Sequence, residues 1–330
     1  MIQDALFWNK EGNRVRCQLC PHHCLIADGK SGICSVRLNE NGNLKTCSYG
    51  DITALAMDPI EKKPLYHYKP GTYILSAGSF GCNFSCDFCQ NHSIAHSDHS
   101  TRSTYLSPEQ LIAYIRKAEG NTGIAFTYNE PSIWFEYIYD TARKLKETDS
   151  RFSVVLVTNG YIEREPLKKL LPYVDAMNID LKSMQDSFYR KTCGGRLEPV
   201  LSTIELSYEI CHIEVTTLLV TGLNDSVDEI SELSRFLSDL DRDIPLHLSR
   251  YFPSYKMRRS PTPGDVMIRS AEIAGKYLNY VYLGNFAGYD NSTYCPECNA
   301  LLIKRTGYEA ECLITEEACY QCRRPISIIL

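Results

Sequence analysis

The chain has 330 residues, 44% of them apolar, and its 35 Lys and Arg against 40 Asp and Glu leave a formal charge of −5. That length allows one large domain with additions, or two domains. The mild acidity argues against a nucleic-acid scaffold, no apolar run reaches the roughly 18 residues of a membrane helix, and Met1–Trp8 carry no basic-then-apolar leader, so a cytoplasmic protein with no nucleic-acid or membrane partner is expected.

Fifteen cysteines are the outlying feature, and they gather at residues 17–34, 82–89 and 295–322, leaving only Cys47, Cys193 and Cys211 outside. Spacings of two and three residues suit metal ligation, whereas a secreted disulfide framework is usually shorter and leader-bearing. The first group reads Cys17-x2-Cys20-Pro21-His22-His23-Cys24, then Cys34. Four thiolates suffice for zinc or for an auxiliary iron–sulfur cluster, and His22 or His23 could replace one. Asn41-Gly42 predicts a hairpin turn.

From about residue 72 to 285, strand-like and helix-like segments alternate. The strands are expected at 72–77, 123–127, 152–158, 176–181, 213–220, 246–251 and 280–283. The helices are expected at 108–119, 131–146, 164–173, 199–209, 227–240 and 263–278. Ser107-Pro108 and Thr262-Pro263 each place a capping hydroxyl before a proline at the first helical position. Such alternation implies parallel strands with right-handed crossovers. The fold class is therefore α/β, read as a barrel, full or partial, of six or so strand–helix units, with a doubly wound open sheet as the alternative. Apolar runs such as Ser153–Val157 suit strands covered on both faces. The C-terminus carries two knuckles, Cys295-x2-Cys298 and Cys319-x2-Cys322, which together make a four-sulfur site for zinc or iron, with Cys312 a spectator. The expected domains are a Cys-rich region 1–65, the α/β region 66–288 and a zinc-ribbon or rubredoxin-like module 289–330.

The central group, Gly81-Cys82-Asn83-Phe84-Ser85-Cys86-Asp87-Phe88-Cys89-Gln90-Asn91, follows the first strand of the α/β region, at the strand end where such folds place active sites. Three nearby thiolates can hold an iron–sulfur cube and leave one iron open. A zinc site or ferredoxin-like cluster completed by Cys193 or Cys211 is the competing reading. His92, His96 and His99 read as a polar surface loop.

Cys-x3-Cys-x-Phe-Cys after a first barrel strand resembles the radical S-adenosylmethionine (SAM) superfamily, and most its branch of pyruvate formate-lyase activating enzymes. The resemblance implies a 4Fe–4S cluster on Cys82, Cys86 and Cys89, SAM on the open iron, and reductive cleavage to a 5′-deoxyadenosyl radical. It implies a flavodoxin- or ferredoxin-like one-electron reductant. It also implies roles for further residues: Phe88 and Asn91 near the adenine and cluster loop, Thr127, Asn129 and Glu130 after the second strand, and Asn159 after the third. Asp180 and Lys182 match the family's Asp-x-Lys after the fourth, and His247 and Arg250 stand where activating enzymes carry a histidine-rich motif. Thr221-Gly222-Leu223-Asn224-Asp225 resembles the family's Pro-Gly-x-Asn-Asp turn with Thr221 in place of proline, and Gly222 is expected in an unusual backbone conformation. The stretch from Cys17 to Arg37, with Asp58–Leu65, resembles the radical SAM member of the AmmeMemoRadiSam triad, although His92 stands where that family usually has tryptophan. The expected function is hydrogen abstraction from a protein or peptide substrate. The alternatives are a small metabolite as substrate, or a non-catalytic iron–sulfur carrier or scaffold.

Overall fold

A computed structural model describes residues 1–330. Its centre is one eight-stranded sheet: β1 (Ala54–Pro59), β2 (Tyr73–Gly78), β3 (Asn121–Phe126), β4 (Ser153–Thr158), β5 (Ala176–Asp180), β6 (His212–Leu219), β7 (Leu246–Arg250) and β8 (Val281–Gly284). The strands lie in chain order across the sheet. β1 pairs antiparallel with β2, and every later neighbour is parallel. Edges β1 and β8 do not pair with each other, so the barrel is partial, as expected. Six helices cross between the parallel strands: α1 (Pro108–Lys117), α2 (Phe135–Thr148), α3 (Arg164–Leu170), α4 (Glu198–Tyr208), α5 (Val227–Leu240) and α6 (Gly264–Ala274).

The local chemistry explains the elements. β4 is buried at five of its six positions, the pattern of a strand covered on both faces. α5 buries Ile230, Leu233 and Leu237 at helical spacing, and Ser226 accepts the amide of Glu229 at 3.2 Å. Ser107 and Gln110 close a reciprocal capping box on α1. The cap expected at Thr262 does not form: its hydroxyl donates to Leu219 O at 2.5 Å, tying α6 to the end of β6 instead.

Two small sheets carry the N-terminal residues. Arg37–Glu40 and Asn43–Thr46 pair across Asn41-Gly42, both of positive φ, the expected hairpin. The expected boundary at residue 65 falls inside the main architecture, because β1 is an edge strand of the barrel sheet. The C-terminal residues form a three-stranded antiparallel sheet over their own small core of Leu302, Ile303, Ile314, Ile326 and Ile328.

The end of the barrel at the strand N-termini is closed. His67 donates its amide to Glu214 Oε1 at 2.7 Å and shares a hydrogen bond with the Tyr282 hydroxyl at 2.7 Å. The C-terminal module reaches the same place: Ile329 donates to His67 O at 2.8 Å, and Arg305 to Tyr66 O. No helix is long and apolar enough to cross a membrane.

Candidate active site

The loop after β2 is pinned from several sides. Ser85 and Asp87 donate their amides to Cys193 O (2.8 Å) and Thr192 O (3.0 Å), and Met257 donates to Asp87 O at 2.9 Å. Asn129 accepts from Ser79 N at 2.9 Å and donates to Phe80 O and Gly81 O at 3.2 and 3.1 Å. A loop so held presents Cys82, Cys86 and Cys89 to one cavity of about 280 Å³. Residues from the C-terminal ends of β3 through β8 line that same cavity, so the sheet curls around it.

Of the residues singled out on sequence, Phe88, Asn91, Thr127, Asn129, Glu130, Asn159, Asp180 and Lys182 all line the cavity. Several are engaged with the protein itself. Buried Glu130 accepts from Thr158 Oγ1 (2.6 Å), Ser132 N (2.9 Å) and Asn159 N (2.8 Å). Asn159 donates to Asn83 Oδ1 at 2.8 Å and lies 3.8 Å from Cys82 Sγ. Glu130 and Asn129 thus hold the strand ends and the cysteine loop in place. Asp180 and Lys182 form an ion pair at 2.8 Å, and the Lys182 ammonium lies 5.8 Å from the Phe88 ring centre. Burial opposes the Lys182 charge, but Asp180, Cys86 and Cys193 outweigh it and hold its pKa well above the ordinary range. Asn224, after β6, donates to Lys182 O at 2.7 Å, and Gly222 in that turn has the expected positive φ of 74°.

His247 and Arg250 do not line the cavity. His247 is buried deeper in the barrel, its Nε2 2.6 Å from Glu214 Oε2. Arg250 donates its Nε–H to Thr262 O at 2.7 Å, with its guanidinium 5.0 Å from the Phe252 ring centre. Sequence reasoning passed over Tyr128, Thr216, Ser249 and Asn285, which do line it. The signal was present: Thr216 lies in register with Asp180, and Ser249 shares the strand face of His247 two residues nearer the mouth.

The exposed histidines His92 and His96 stack on Tyr255 at 4.8 and 5.0 Å, and His99 is exposed beside them. Cys211 lines a separate surface hollow with Asp175 and Tyr68. Fully buried Cys193 faces the Cys86 sulfur, and this contact, with Lys182, lowers the Cys86 pKa despite burial. Cys193 does not line the cavity, and the four sulfurs do not converge on one point. It supports Cys86 from behind and leaves the open side of the loop free. Three thiols at one cavity of this size fit a 4Fe–4S cluster with an exposed iron.

The flanking cysteines differ from each other. The sulfurs of Cys295, Cys298, Cys319 and Cys322 all lie within 4.8 Å of one another, with Cys295–Cys322 and Cys298–Cys319 at 3.5 Å. Cys312 stands apart, its thiol 3.4 Å from Ile314 O. Cys17, Cys20, Cys24 and Cys34 surround a separate pocket, where no three ligand atoms come so close. His22 bonds Asn83 O at 2.7 Å and His23 pairs with Glu163 at 2.9 Å, so the two histidines are engaged elsewhere.

Comparison with known proteins agrees with this geometry. Residues 78–237 match the family model described as the radical SAM superfamily. Over their full lengths, this chain and an uncharacterized protein of Methanocaldococcus jannaschii are 41% identical. A GTP 3′,8-cyclase of Lactiplantibacillus plantarum is 24% identical over 72% of this chain and 77% of its own. A 4-hydroxyphenylacetate decarboxylase activating enzyme of Clostridium scatologenes is 26% identical over 35% of this chain and 38% of its own. With the cysteine loop, the parallel strands and the shared cavity all in place, residues 78–237 of this chain form a radical SAM domain.

Proposed function

We propose that this enzyme cleaves SAM reductively and uses the resulting 5′-deoxyadenosyl radical to take hydrogen from a protein or peptide substrate. The observation that carries the reading is the single cavity shared by Cys82, Cys86, Cys89, Asn159, Asp180 and Lys182. Cys82, Cys86 and Cys89 would hold the 4Fe–4S cluster, which supplies the open iron and the electron that breaks the sulfur–C5′ bond. The Asp180–Lys182 pair offers a carboxylate to ribose hydroxyls and an ammonium to the SAM carboxylate. Phe88 gives the adenine a face against which to pack. Fixing SAM in this way makes the electron transfer effectively unimolecular, and the curled sheet keeps water from the radical.

A flavodoxin- or ferredoxin-like protein is the proposed electron donor. The likeness to an activating enzyme supports a protein substrate, and the likeness to a GTP cyclase is the reason to test metabolites beside it. The convergent C-terminal sulfurs suit one tetrahedral ion, for which we propose zinc, since a module with so small a core gains its stability from a closed metal staple.

The test is anaerobic reconstitution with iron and sulfide, followed by dithionite and SAM. 5′-Deoxyadenosine is the expected product, absent when Cys82, Cys86 and Cys89 are together replaced by Ala. An intact cluster that yields none sinks the proposal. Deuterated candidate proteins should pass label to 5′-deoxyadenosine, and label arriving only from metabolites would transfer the reading to a small-molecule substrate.

A further inference from the structure

The spacing of sulfurs separates the cysteine sites into two kinds. A single zinc or iron ion at about 2.3 Å from each thiolate brings tetrahedral sulfurs to about 3.8 Å from one another. The C-terminal quartet meets that condition, with pairs at 3.5 Å. A four-iron cube gives each thiolate its own iron and so holds the sulfurs further apart. Neither Cys82, Cys86 and Cys89, the radical SAM loop, nor Cys17, Cys20, Cys24 and Cys34 bring three ligand atoms within 4.8 Å of one another, so neither set meets the single-ion condition.

The N-terminal pocket has further features of a cluster site. All four cysteines line it, and Cys17, Cys20 and Cys34 are buried while Cys24 is half-buried. The backbone N–H groups of Leu19, His22 and Val36, each two residues beyond a cysteine, face the sulfurs of Cys17, Cys20 and Cys34. Phe84 N makes the corresponding contact with Cys82 Sγ at 3.3 Å in the radical SAM loop. Arg37 lines the pocket as well. It is 1% exposed, and although its terminal nitrogens reach Leu6 O and Glu136, its Nε–H has no acceptor in the protein. An inorganic sulfide would accept that hydrogen.

The pocket also adjoins the active site. Asn83, beside Cys82, forms part of its wall. His22 bonds Asn83 O, and Asn83 Oδ1 accepts from Asn159, whose amide lies 3.8 Å from Cys82 Sγ. Gly81 has φ +83°, and a Cβ there would lie 2.5 Å from Cys34 O, so the two cysteine loops touch backbone to backbone.

We propose that Cys17, Cys20, Cys24 and Cys34 hold a second 4Fe–4S cluster, closed by four thiolates and set against the first to relay single electrons. With every iron capped by cysteine, the cluster has no position for substrate. One electron enters from the protein reductant near half-exposed Cys24 and one leaves toward the cluster of Cys82, with no bond made or broken.

Acid-labile sulfide, iron and zinc are to be counted in the full chain after anaerobic reconstitution. The proposal expects about eight sulfides per chain, four for each cube; about four overturns it, whether zinc or nothing fills the N-terminal site. Sulfide decides even if the C-terminal quartet holds iron, because a single ion there brings none. The Cys82→Ala/Cys86→Ala/Cys89→Ala variant should keep half the sulfide and, on reduction, an electron paramagnetic resonance signal insensitive to SAM. The Cys20→Ser/Cys34→Ser variant should lose that signal and keep the SAM-sensitive one. The wild-type count stands alone if either variant misfolds. Absence of any SAM-sensitive signal would break the proposed function and leave this site intact, so the two failures are distinguishable.

Discussion

The two ends of the barrel are built from the same strand faces and treat their polar residues in opposite ways. Near the strand N-termini, Glu214 accepts from His67 N and lies within hydrogen-bond distance of His212 and His247, while Tyr282 links His67 to Thr293. There Glu214, His67, His247 and Tyr282 satisfy one another. Near the C-terminal ends, Asp180, Thr216, Ser249 and Asn285 face a cavity. Alternation along a strand tells which residues point inward. Depth tells which of them remain available to a ligand, and His247 and Ser249, two residues apart, show the division.

The largest effect that would sharpen this contrast is at the mouth. Cys86→Ala should reduce 5′-deoxyadenosine formation to the uncatalysed level with little change in unfolding temperature; a variant that kept activity would erase the distinction. At the closed end, Glu214→Ala should cost about 3–5 kcal/mol by denaturant titration, because it strands buried histidines without their carboxylate. A loss below 1 kcal/mol would show that this network is not structural.

The closed end should also respond to pH. Burial outweighs the attraction of Glu214 and lowers His67 from 6.5 to about 3. The unfolded chain therefore takes up a proton there that the folded chain refuses. Stability from this group is complete above about pH 6.5 and declines as pH falls toward 3, with a slope of at most about 1.4 kcal/mol per pH unit. Thermal melts of His67→Gln should show a shallower decline over that window; an unchanged slope removes His67 as its source. The smallest effect belongs to the mouth: Ser249→Ala should weaken SAM binding a few-fold and move stability by no more than about 0.5 kcal/mol. A larger stability change would make Ser249 part of the packed interior.

Much of this architecture was legible in the residues. The apolar run 153–157, the capping box at Ser107 and the Asn41-Gly42 turn depend on local chemistry, and the structure realises each. The cavity-lining positions of Asp180 and Lys182 follow from strand parity near a strand end. Other features depend on contacts distant in sequence. The edge pairing of Ala54–Pro59 with Tyr73–Gly78 is non-local, and nothing near Thr262 announces that its hydroxyl will bond Leu219 O rather than cap a helix. The placement of His247 turned on an acceptor from a neighbouring strand, Glu214, which pattern alone does not reveal.

The latch from the C-terminal module gives its four sulfurs influence over a reaction they never meet. Ile329 and Arg305 grip the chain at His67 and Tyr66, so if the knuckles hold the proposed zinc, a chelator that strips it would unfasten the barrel's underside. On the proposed chemistry, solvent leaking upward would quench radicals before they found a partner, and SAM would be consumed without product while every mouth residue stayed in place.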